Sequence, residues 1–395
     1  MNPKELARRR IAVFDTTLRD GEQAPGNGMS PEQKLELGLI IESLGVDTVE
    51  TGFPASSPSD YKATQLLSQR LTAARFATFV RATRADVDAA VEAGGTANHQ
   101  VQVLATGSDL HLEHKRGISR AEGVREVCDT LEYARSLGVT DLKVAIEDAT
   151  RGADDLLEEL VGAVLAAGAT TIGIGDTCGC LLPDEFAALV AKVRRWAPRP
   201  VSLATHCHND LGLAAANALA GLRAGADEVE ATLAGIGERA GNTSLEEIVA
   251  ALVYKGDYLG LTTSVRTELM YGAYRQLAAA IGMTTPRNKA IFGDNAFATQ
   301  AGIHQAGMLR KPETYEYLEP ERFGRERELL VGRHSGRAIV RHLLDQLDVA
   351  ATEELVGSLY EELISTRADN SCDTLDTLRT RLATRFAARD TGARV

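Results

Sequence analysis

The chain has 395 residues, of which 44% are hydrophobic and 25% charged, with a formal net charge of −12 at pH 7. This composition excludes collagen-like, disordered and disulfide-stapled chains, and the negative charge argues against a nucleic-acid binder or a protein that adheres to anionic membranes. Because the five cysteines lack framework spacing and no apolar run approaches the roughly 20 residues of a membrane helix, we expect a soluble, cytoplasmic protein.

Eight short apolar or β-branched runs alternate with longer stretches of helical periodicity. The predicted strands are Ile11–Phe14, Val46–Val49, Ala74–Val80, Val101–Ala105, Asp141–Ile146, Thr170–Ile174, Val201–Ala204 and Glu228–Thr232. Apolar residues recur at three-to-four spacing between them, for example in Pro31–Leu44 and Val124–Leu137. Eight strand–helix units within about 255 residues is the count of a (β/α)8 barrel, and their even spacing disfavours a doubly wound open sheet. We therefore predict an α/β fold in which residues 1–260 form a TIM barrel.

The regular alternation of strand-like and helical sequence patterns ends after about Tyr258. Residues 262–282 are predicted to form one amphipathic helix, 285–335 are glycine-rich without strand alternation, and 336–390 return to helical periodicity. We predict that residues 261–395 form a mostly helical C-terminal extension beside or over the barrel. Because this extension has too little apolar alternation to form a domain alone, we also expect a homodimer.

Polar groups follow almost every predicted strand. Since the active site of a (β/α)8 barrel lies at the C-terminal ends of its strands, these groups are expected to face one rim. They stand in the segments Asp15–Gln23, Glu50–Pro54, Glu147–Asp148, Asp176–Thr177, Thr205–Asp210 and Gly235–Asn242.

His206 and His208 are the sharpest feature of this rim. Residues i and i+2 of a strand project to the same side, so both imidazoles can bind one cation. Asp20 could add a carboxylate and Asn242 a carbonyl oxygen, a set that suits Zn, Mn, Fe or Co better than Mg. The alternative is a hydrogen-bonded histidine pair at a strand end, which the acids and the arginine expected on the same rim disfavour.

Two charged residues on the rim predict further chemistry. Arg19 suggests an anion pocket beside the metal, because a guanidinium matches a carboxylate or a carbonyl oxygen that gains charge; a structural ion pair with Asp20 is the alternative. Glu147 could be a general base, could orient one, or could be a solvated acid at a helix start. The glycine-rich runs 173–179 and 235–241 lack G-x-G-x-x-G spacing, so a dinucleotide site is not expected.

These segments resemble the acetyl-CoA-dependent Claisen-condensing barrel family of 2-isopropylmalate, homocitrate and citramalate synthases. The motifs are Thr17–Gln23, Gly52–Pro58, His206–Gly212, Gly235–Asn242, Gly302–Gln305 and Gly332–Gly336. The resemblance implies a metal-dependent acyltransferase. Such an enzyme condenses acetyl-CoA, its co-substrate, with a 2-oxo acid and hydrolyses the thioester to a 2-substituted malate and CoA.

The resemblance also implies the ligands of a divalent metal, which would be Mn, Mg, Zn or Co. Asp20, His206 and His208 match the family's metal ligands, and Asn242 completes or flanks the shell. In this family the metal polarises the ketone of the acceptor as a Lewis acid.

Five residues match the family's substrate and proton-transfer groups. Arg19 matches the group that binds the 2-oxo acid and polarises its ketone, and Thr177 matches a contact to the substrate carboxylate. Glu147 and His304 match the acid–base pair, although the residues do not decide which group takes the acetyl-CoA proton. Tyr315 matches a tyrosine that the extension contributes, from the same or a partner subunit.

The sequence does not decide which 2-oxo acid is the acceptor. Because the sequence ends at Val395, we expect the long regulatory domain of isopropylmalate synthases to be missing, and Arg19–Gly26 is similar to short homocitrate synthases. Phe53–Pro58 and Asn288–Ile291, however, are more similar to isopropylmalate synthases. We favour an isopropylmalate-type acceptor over 2-oxoglutarate or an acid of specialised metabolism.

Two other classes of function were weighed against a synthase. A carbon–carbon lyase similar to 3-hydroxy-3-methylglutaryl-CoA lyase is disfavoured because Gly235–Gly241 contains no cysteine. A non-catalytic metabolite sensor is disfavoured because the metal ligands and both members of the acid–base pair are all present.

Overall fold

The computed structural model describes residues 8–369 and 371–392, and its first part is a closed barrel of eight parallel strands. The strands are β1 (Ala12–Asp15), β2 (Thr48–Gly52), β3 (Arg75–Val80), β4 (His99–Thr106), β5 (Asp141–Glu147), β6 (Thr171–Asp176), β7 (Ser202–Cys207) and β8 (Glu228–Ala231). The barrel closes because β1 pairs with β8, from Ala12 opposite Glu228 to Asp15 opposite Ala231. The predicted (β/α)8 barrel is confirmed.

Each barrel strand is followed by a helix on the outside. The helices are α1 (Pro31–Ser43), α2 (Pro58–Ser68), α3 (Arg84–Gly94), α4 (Arg120–Ser136), α5 (Asp154–Ala166), α6 (Pro183–Trp196), α7 (Ala214–Ala224) and α8 (Leu245–Leu259). Capping boxes begin α1 and α4: the Ser30 hydroxyl accepts from the Gln33 N–H, and Ser119 and Glu122 repeat the arrangement. These reciprocal bonds satisfy backbone donors that a helix start leaves unpaired.

The barrel interior contains a buried group of charges. The Lys143 ammonium is 2.7 Å from a carboxylate oxygen of Glu228 and 2.7 Å from one of Glu230, and all three side chains are buried. The same ammonium lies 3.7 Å from the ring centroid of Phe14. Such charges are tolerated in a core only when each has its partner.

The chain divides into two compact units, residues 1–284 and 285–395. Helix α9 (Met270–Ile281) lies in the first unit, where it packs against α1 and the Gln33 amide donates to the Ala280 carbonyl oxygen at 3.2 Å. The sequence groups this helix with the extension because its periodicity identifies a helix but not the surface it covers.

The second unit is mostly helical, as predicted, but it also contains a small sheet. Its helices are α10 (Gly302–Met308), α11 (Arg337–Gln346), α12 (Glu353–Tyr360) and α13 (Leu375–Gly392), and its strands are β9 (Ala298–Thr299), β10 (Glu328–Val331) and β11 (Asp373–Thr374). Two of these strands lie in the stretch 285–335, where no strand alternation is predicted; strands of two to four residues are too short to show it.

The second unit buries an apolar core of its own. Residues from β10, α11, α12 and α13 form one cluster, which includes Val331, Leu343, Leu359 and Leu378. The extension thus has more core than the sequence pattern indicates, and the homodimer expected from that pattern stays a prediction. Within the described residues, no helix is both long and apolar enough to cross a membrane.

Replacement of Lys143 by methionine should destabilise the barrel strongly. The change leaves the buried carboxylates of Glu228 and Glu230 without their cation, and breaking a buried pair in this way costs about 3–5 kcal/mol. Urea unfolding of Lys143→Met should show that loss, whereas Lys62→Met, which removes an exposed ammonium that donates to the Gln65 amide oxygen, should unfold like the wild type. An unchanged midpoint for Lys143→Met would contradict the role of the buried charges.

Candidate active site

The strand ends surround one cavity of about 350 Å³. Six of the predicted site residues line it: Arg19, Asp20, Glu147, Thr177, His206 and His208. Asn242 is buried beside them, bonded to Asp20. The expectation that the polar groups after β1, β5, β6 and β7 meet at one rim therefore agrees with the structure.

Asp20, His206 and His208 form a group that could bind a metal ion. The Nε2 atoms of the two histidines are 3.2 Å apart, and an Asp20 oxygen is 3.4 Å from Nε2 of His206. One ligand atom from each residue lies within 4.8 Å of the other two. Two imidazole nitrogens and a carboxylate oxygen that converge in this way fit a divalent cation.

Asn242 supports this group from the loop after β8. Its amide nitrogen donates to Asp20 at 2.9 Å, which orients the carboxylate, and its buried Oδ1 has no hydrogen-bond partner among the described residues. An unpaired buried oxygen beside the group is consistent with a cation site. The loop requires glycine at position 241, where φ is +93° and a Cβ would lie 2.0 Å from the Gly235 carbonyl oxygen.

Glu230 fixes the orientation of His206. Its carboxylate accepts from Nδ1 of His206 at 2.8 Å, and its other oxygen faces Lys143. A carboxylate on Nδ1 selects the tautomer whose Nε2 is free to bind a metal. Burial tends to raise the pKa of Glu230, but Lys143 and His206 together lower it to about 2.

The charges around the histidines decide where a proton resides when no cation is bound. Burial tends to lower the pKa of His206, but the Glu230 charge and the hydrogen bond with Asp20 raise it to about 10. Burial and the neighbouring His206 lower the pKa of His208 to about 4. Burial tends to raise the pKa of Asp20, yet Arg19 and His206 keep it well below its usual range. One proton on His206 therefore takes the place that a cation would occupy.

Arg19 is fixed by a second acid. Its Nε donates to Glu50 at 2.8 Å and its NH1 to Asp20 at 3.2 Å, and the guanidinium lies 4.7 Å from the ring centroid of Phe79. The other Glu50 oxygen accepts from the Gln102 amide at 2.9 Å. Arg19 thus belongs to a buried network and is not a simple ion pair with Asp20.

Thr177 and Glu147 lie on the other side of the cavity. The Thr177 hydroxyl oxygen accepts from the Asp148 N–H at 2.8 Å, so its own proton stays available for a ligand. Glu147 is not merely a solvated acid at a helix start, because the Lys115 ammonium lies 2.7 and 2.6 Å from its two oxygens.

No role was predicted for Glu230 or Lys115, and Glu50 was predicted only as one of the polar groups at the rim. Glu50 and Glu230 each follow a valine within a short strand, and an acidic residue inside a barrel strand is a signal that its partner lies in the barrel interior. Lys115 had no comparable signal, since it lies between strands among other charged residues.

His304 and Tyr315 lie in the second unit. His304 belongs to α10, and the rings of the two residues are 4.1 Å apart between centroids. The structure thus brings these two predicted residues together. The pairing of His304 with Glu147 stays a prediction.

Comparison with protein families and curated proteins gives a consistent result. The HMGL-like family model matches residues 10–285, and a homocitrate synthase post-HMGL domain-like model matches residues 291–371. The chain is 43% identical over 358 residues to a 2-isopropylmalate synthase of Sediminispirochaeta smaragdinae, covering 89% of this chain and 71% of that protein. It is 44% identical over 358 residues to a 2-isopropylmalate synthase of Xanthomonas campestris pv. campestris, covering 89% and 68%.

Solved structures with the same fold include two lyases. The hydroxymethylglutaryl-CoA lyase of Pseudomonas aeruginosa has a TM-score of 0.60 at 21% identity, with 70% of this chain and 94% of that chain covered. The HMG-CoA lyase of Brucella melitensis has a TM-score of 0.60 at 20% identity, with 70% and 100% covered. At this level of identity the likeness concerns the fold alone.

Loss of any one predicted ligand should abolish tight metal binding. Asp20→Ala, His206→Ala and His208→Ala each remove a ligand atom, and each should weaken Mn²⁺ binding in isothermal titration calorimetry by more than the roughly 10- to 100-fold that loss of a supporting residue costs. His114→Gln is the matched control, because this histidine is exposed and lies away from the cluster. Equal affinity in all four variants would place the metal elsewhere.

Metal binding should also depend on pH. Because the pKa of His206 is raised to about 10, a cation that binds between pH 7 and 8.5 must displace a proton. The apparent Mn²⁺ affinity should therefore rise about tenfold for each pH unit in this range, which calorimetry at several pH values would detect. Constant affinity would mean that His206 is already neutral at pH 7.

Proposed function

The chain belongs to the HMGL-like family and, within it, to the group of the 2-isopropylmalate synthases; from this premise we propose that it condenses acetyl-CoA with a 2-oxo acid whose side chain is uncharged and apolar. The reaction transfers the acetyl group as an alkyl substituent and hydrolyses the thioester. Its products are free CoA and a 2-substituted malate. With 2-oxoisovalerate as the acceptor, the product is 2-isopropylmalate.

The main support for an acceptor with an uncharged side chain is that the cations around the cavity are already paired with carboxylates. Every arginine and lysine among the lining residues already has a carboxylate partner. The pairs are Arg19 with Glu50 at 2.8 Å, Arg81 with Asp86 at 2.8 Å, Lys115 with Glu147 at 2.6 Å, and Arg239 with Asp210 at 2.8 Å. A second acidic group on the acceptor would therefore meet cations that the protein has already neutralised. Taking Arg19 from Glu50 would in addition leave a buried carboxylate without its partner.

The uncharged part of the cavity wall supports the same preference. Phe53, Phe79, Leu104, Ala145 and Ile146 all line the cavity. Apolar walls with a few oriented polar groups are typical of sites that bind small organic ligands. An alkyl side chain would contact these walls, whereas a distal carboxylate would lose its hydration without compensation.

The metal ligands and their supports prepare one end of the cavity. Asp20, His206 and His208 would bind the divalent cation, with Mn, Co or Zn better suited than Mg to two imidazoles. The bound cation supplies Lewis-acid polarisation of the ketone. Asn242 orients Asp20 and Glu230 orients His206, so the ligands need little rearrangement.

The remaining groups bind the acceptor and move protons. Arg19 donates to the ketone oxygen as it gains negative charge, and Thr177 donates its hydroxyl proton to the acceptor carboxylate. Glu147, His304 and Tyr315 are assigned to proton transfer at the acetyl-CoA methyl group and at the new hydroxyl. The homodimer and the cytoplasmic location expected from the sequence are part of this proposal.

A free-thiol assay with acetyl-CoA, Mn²⁺ and a panel of 2-oxo acids tests the proposal. The panel contains 2-oxoisovalerate, pyruvate, phenylpyruvate, 2-oxoglutarate and phosphonopyruvate. We expect the highest kcat/KM with an uncharged acceptor, values at least about 100-fold lower for the two acids with a second anionic group, and no thiol release after chelation. Preference for 2-oxoglutarate would contradict the charge argument. Cleavage of 3-hydroxy-3-methylglutaryl-CoA without condensation would contradict the synthase assignment.

A further inference from the structure

An unusual backbone segment carries Lys115 to the wall of the cavity. Residues Leu112–Arg116 form a single π-helical turn directly after the short helix Asp109–His111. Gly117 ends the turn with φ of 65°, and its N–H donates to the Leu112 carbonyl oxygen. A π turn inserts one extra residue and redirects the side chains around it, and such turns occur frequently at functional sites.

The Lys115 ammonium contacts both oxygens of Glu147, at 2.7 and 2.6 Å. On another side of the carboxylate, Nδ1 of His111 lies 3.4 Å from one oxygen. Nε2 of His111 is 3.3 Å from the Arg151 guanidinium, which can only donate, so the imidazole proton resides on Nδ1. The carboxylate is therefore bonded to the ammonium group, and the imidazole lies close to it without a hydrogen bond from Nδ1.

Stability does not explain this arrangement. The Lys115 side chain is 45% exposed and that of Glu147 is 20% exposed. Ion pairs at this exposure are screened by water and contribute little to folding. What the pair does limit is the orientation of the carboxylate, because contacts from one ammonium to both oxygens hold the O–O edge towards Lys115.

We propose that Lys115 is a positioning residue for Glu147, whose carboxylate it holds at the cavity wall with lone pairs left free for a substrate. This inference rests on the proposed function, in which Glu147 takes part in proton transfer. A carboxylate has about four lone-pair sites, so the ammonium can occupy one on each oxygen and leave the others for a proton or a substrate group. Proton transfer requires close and aligned donor and acceptor atoms, and the ion pair supplies the alignment before acetyl-CoA binds.

Three variants test the role of Lys115 under the conditions of the thiol assay. Lys115→Met removes the ammonium and keeps most of the side-chain volume, whereas Lys115→Arg retains a cation that can contact both oxygens. The matched control is Lys192→Met, because the Lys192 ammonium is also 2.6 Å from a carboxylate, that of Asp154, and lies outside the cavity.

We expect kcat of Lys115→Met to fall about 10- to 100-fold, with KM for both substrates changed less than about threefold and Mn²⁺ affinity unchanged. Lys115→Arg should recover most of kcat, and Lys192→Met should equal the wild type. If Lys115→Met does not fold, the kcat of Lys115→Arg still tests the inference, because that variant retains the cation.

Two results would overturn the inference alone. Wild-type kcat in Lys115→Met would mean that Glu147 needs no positioning, and a raised KM for acetyl-CoA with unchanged kcat would mean that Lys115 binds the co-substrate. A wild-type enzyme without turnover on any acceptor would overturn the proposed function and the inference together.

Discussion

The buried carboxylate of Glu230 links the stability of the barrel to the chemistry of its rim. One oxygen is 2.7 Å from the Lys143 ammonium in the barrel interior, and the other accepts from His206 at 2.8 Å. A charge in this position requires partners on both sides, and the partner on the rim side is a candidate metal ligand. Glu230 therefore orients the candidate metal ligand His206 and at the same time compensates the buried charge of Lys143.

The cations in the walls of the cavity are also paired with carboxylates of the protein. Arg19 is buried between Glu50 and Asp20, and the arginine and lysine residues farther around the rim each have a carboxylate of their own. A site in which the protein itself neutralises its cations offers polar groups for one end of a ligand and apolar contacts for the other. This is the basis of the proposed preference for an acceptor with one carboxylate and an alkyl side chain over an acceptor with a second acidic group.

The sequence predicted the barrel, and it also predicted most of the polar residues that line the candidate site, for physical reasons. Eight alternating units leave few closed topologies, and the i, i+2 spacing of His206 and His208 determines that both imidazoles share a face. Which charged side chains pair with each other could not be predicted in the same way. Glu230 meets Lys143 only when β5 and β8 face each other across the closed barrel, and Lys115 reaches Glu147 only through a π turn. Hydrophobic periodicity likewise identified α9 as a helix but did not show that it packs on α1.

The measurement of choice is a crystal structure with Mn²⁺ and 2-oxoisovalerate, because the anomalous signal of manganese distinguishes it from protein atoms and water. We predict one peak within bonding distance of Nε2 of His206, Nε2 of His208 and the Asp20 carboxylate, with the isopropyl group of the acid against Phe79 and Leu104. A peak elsewhere, or an undisturbed contact between the two histidines at saturating Mn²⁺, would contradict this prediction.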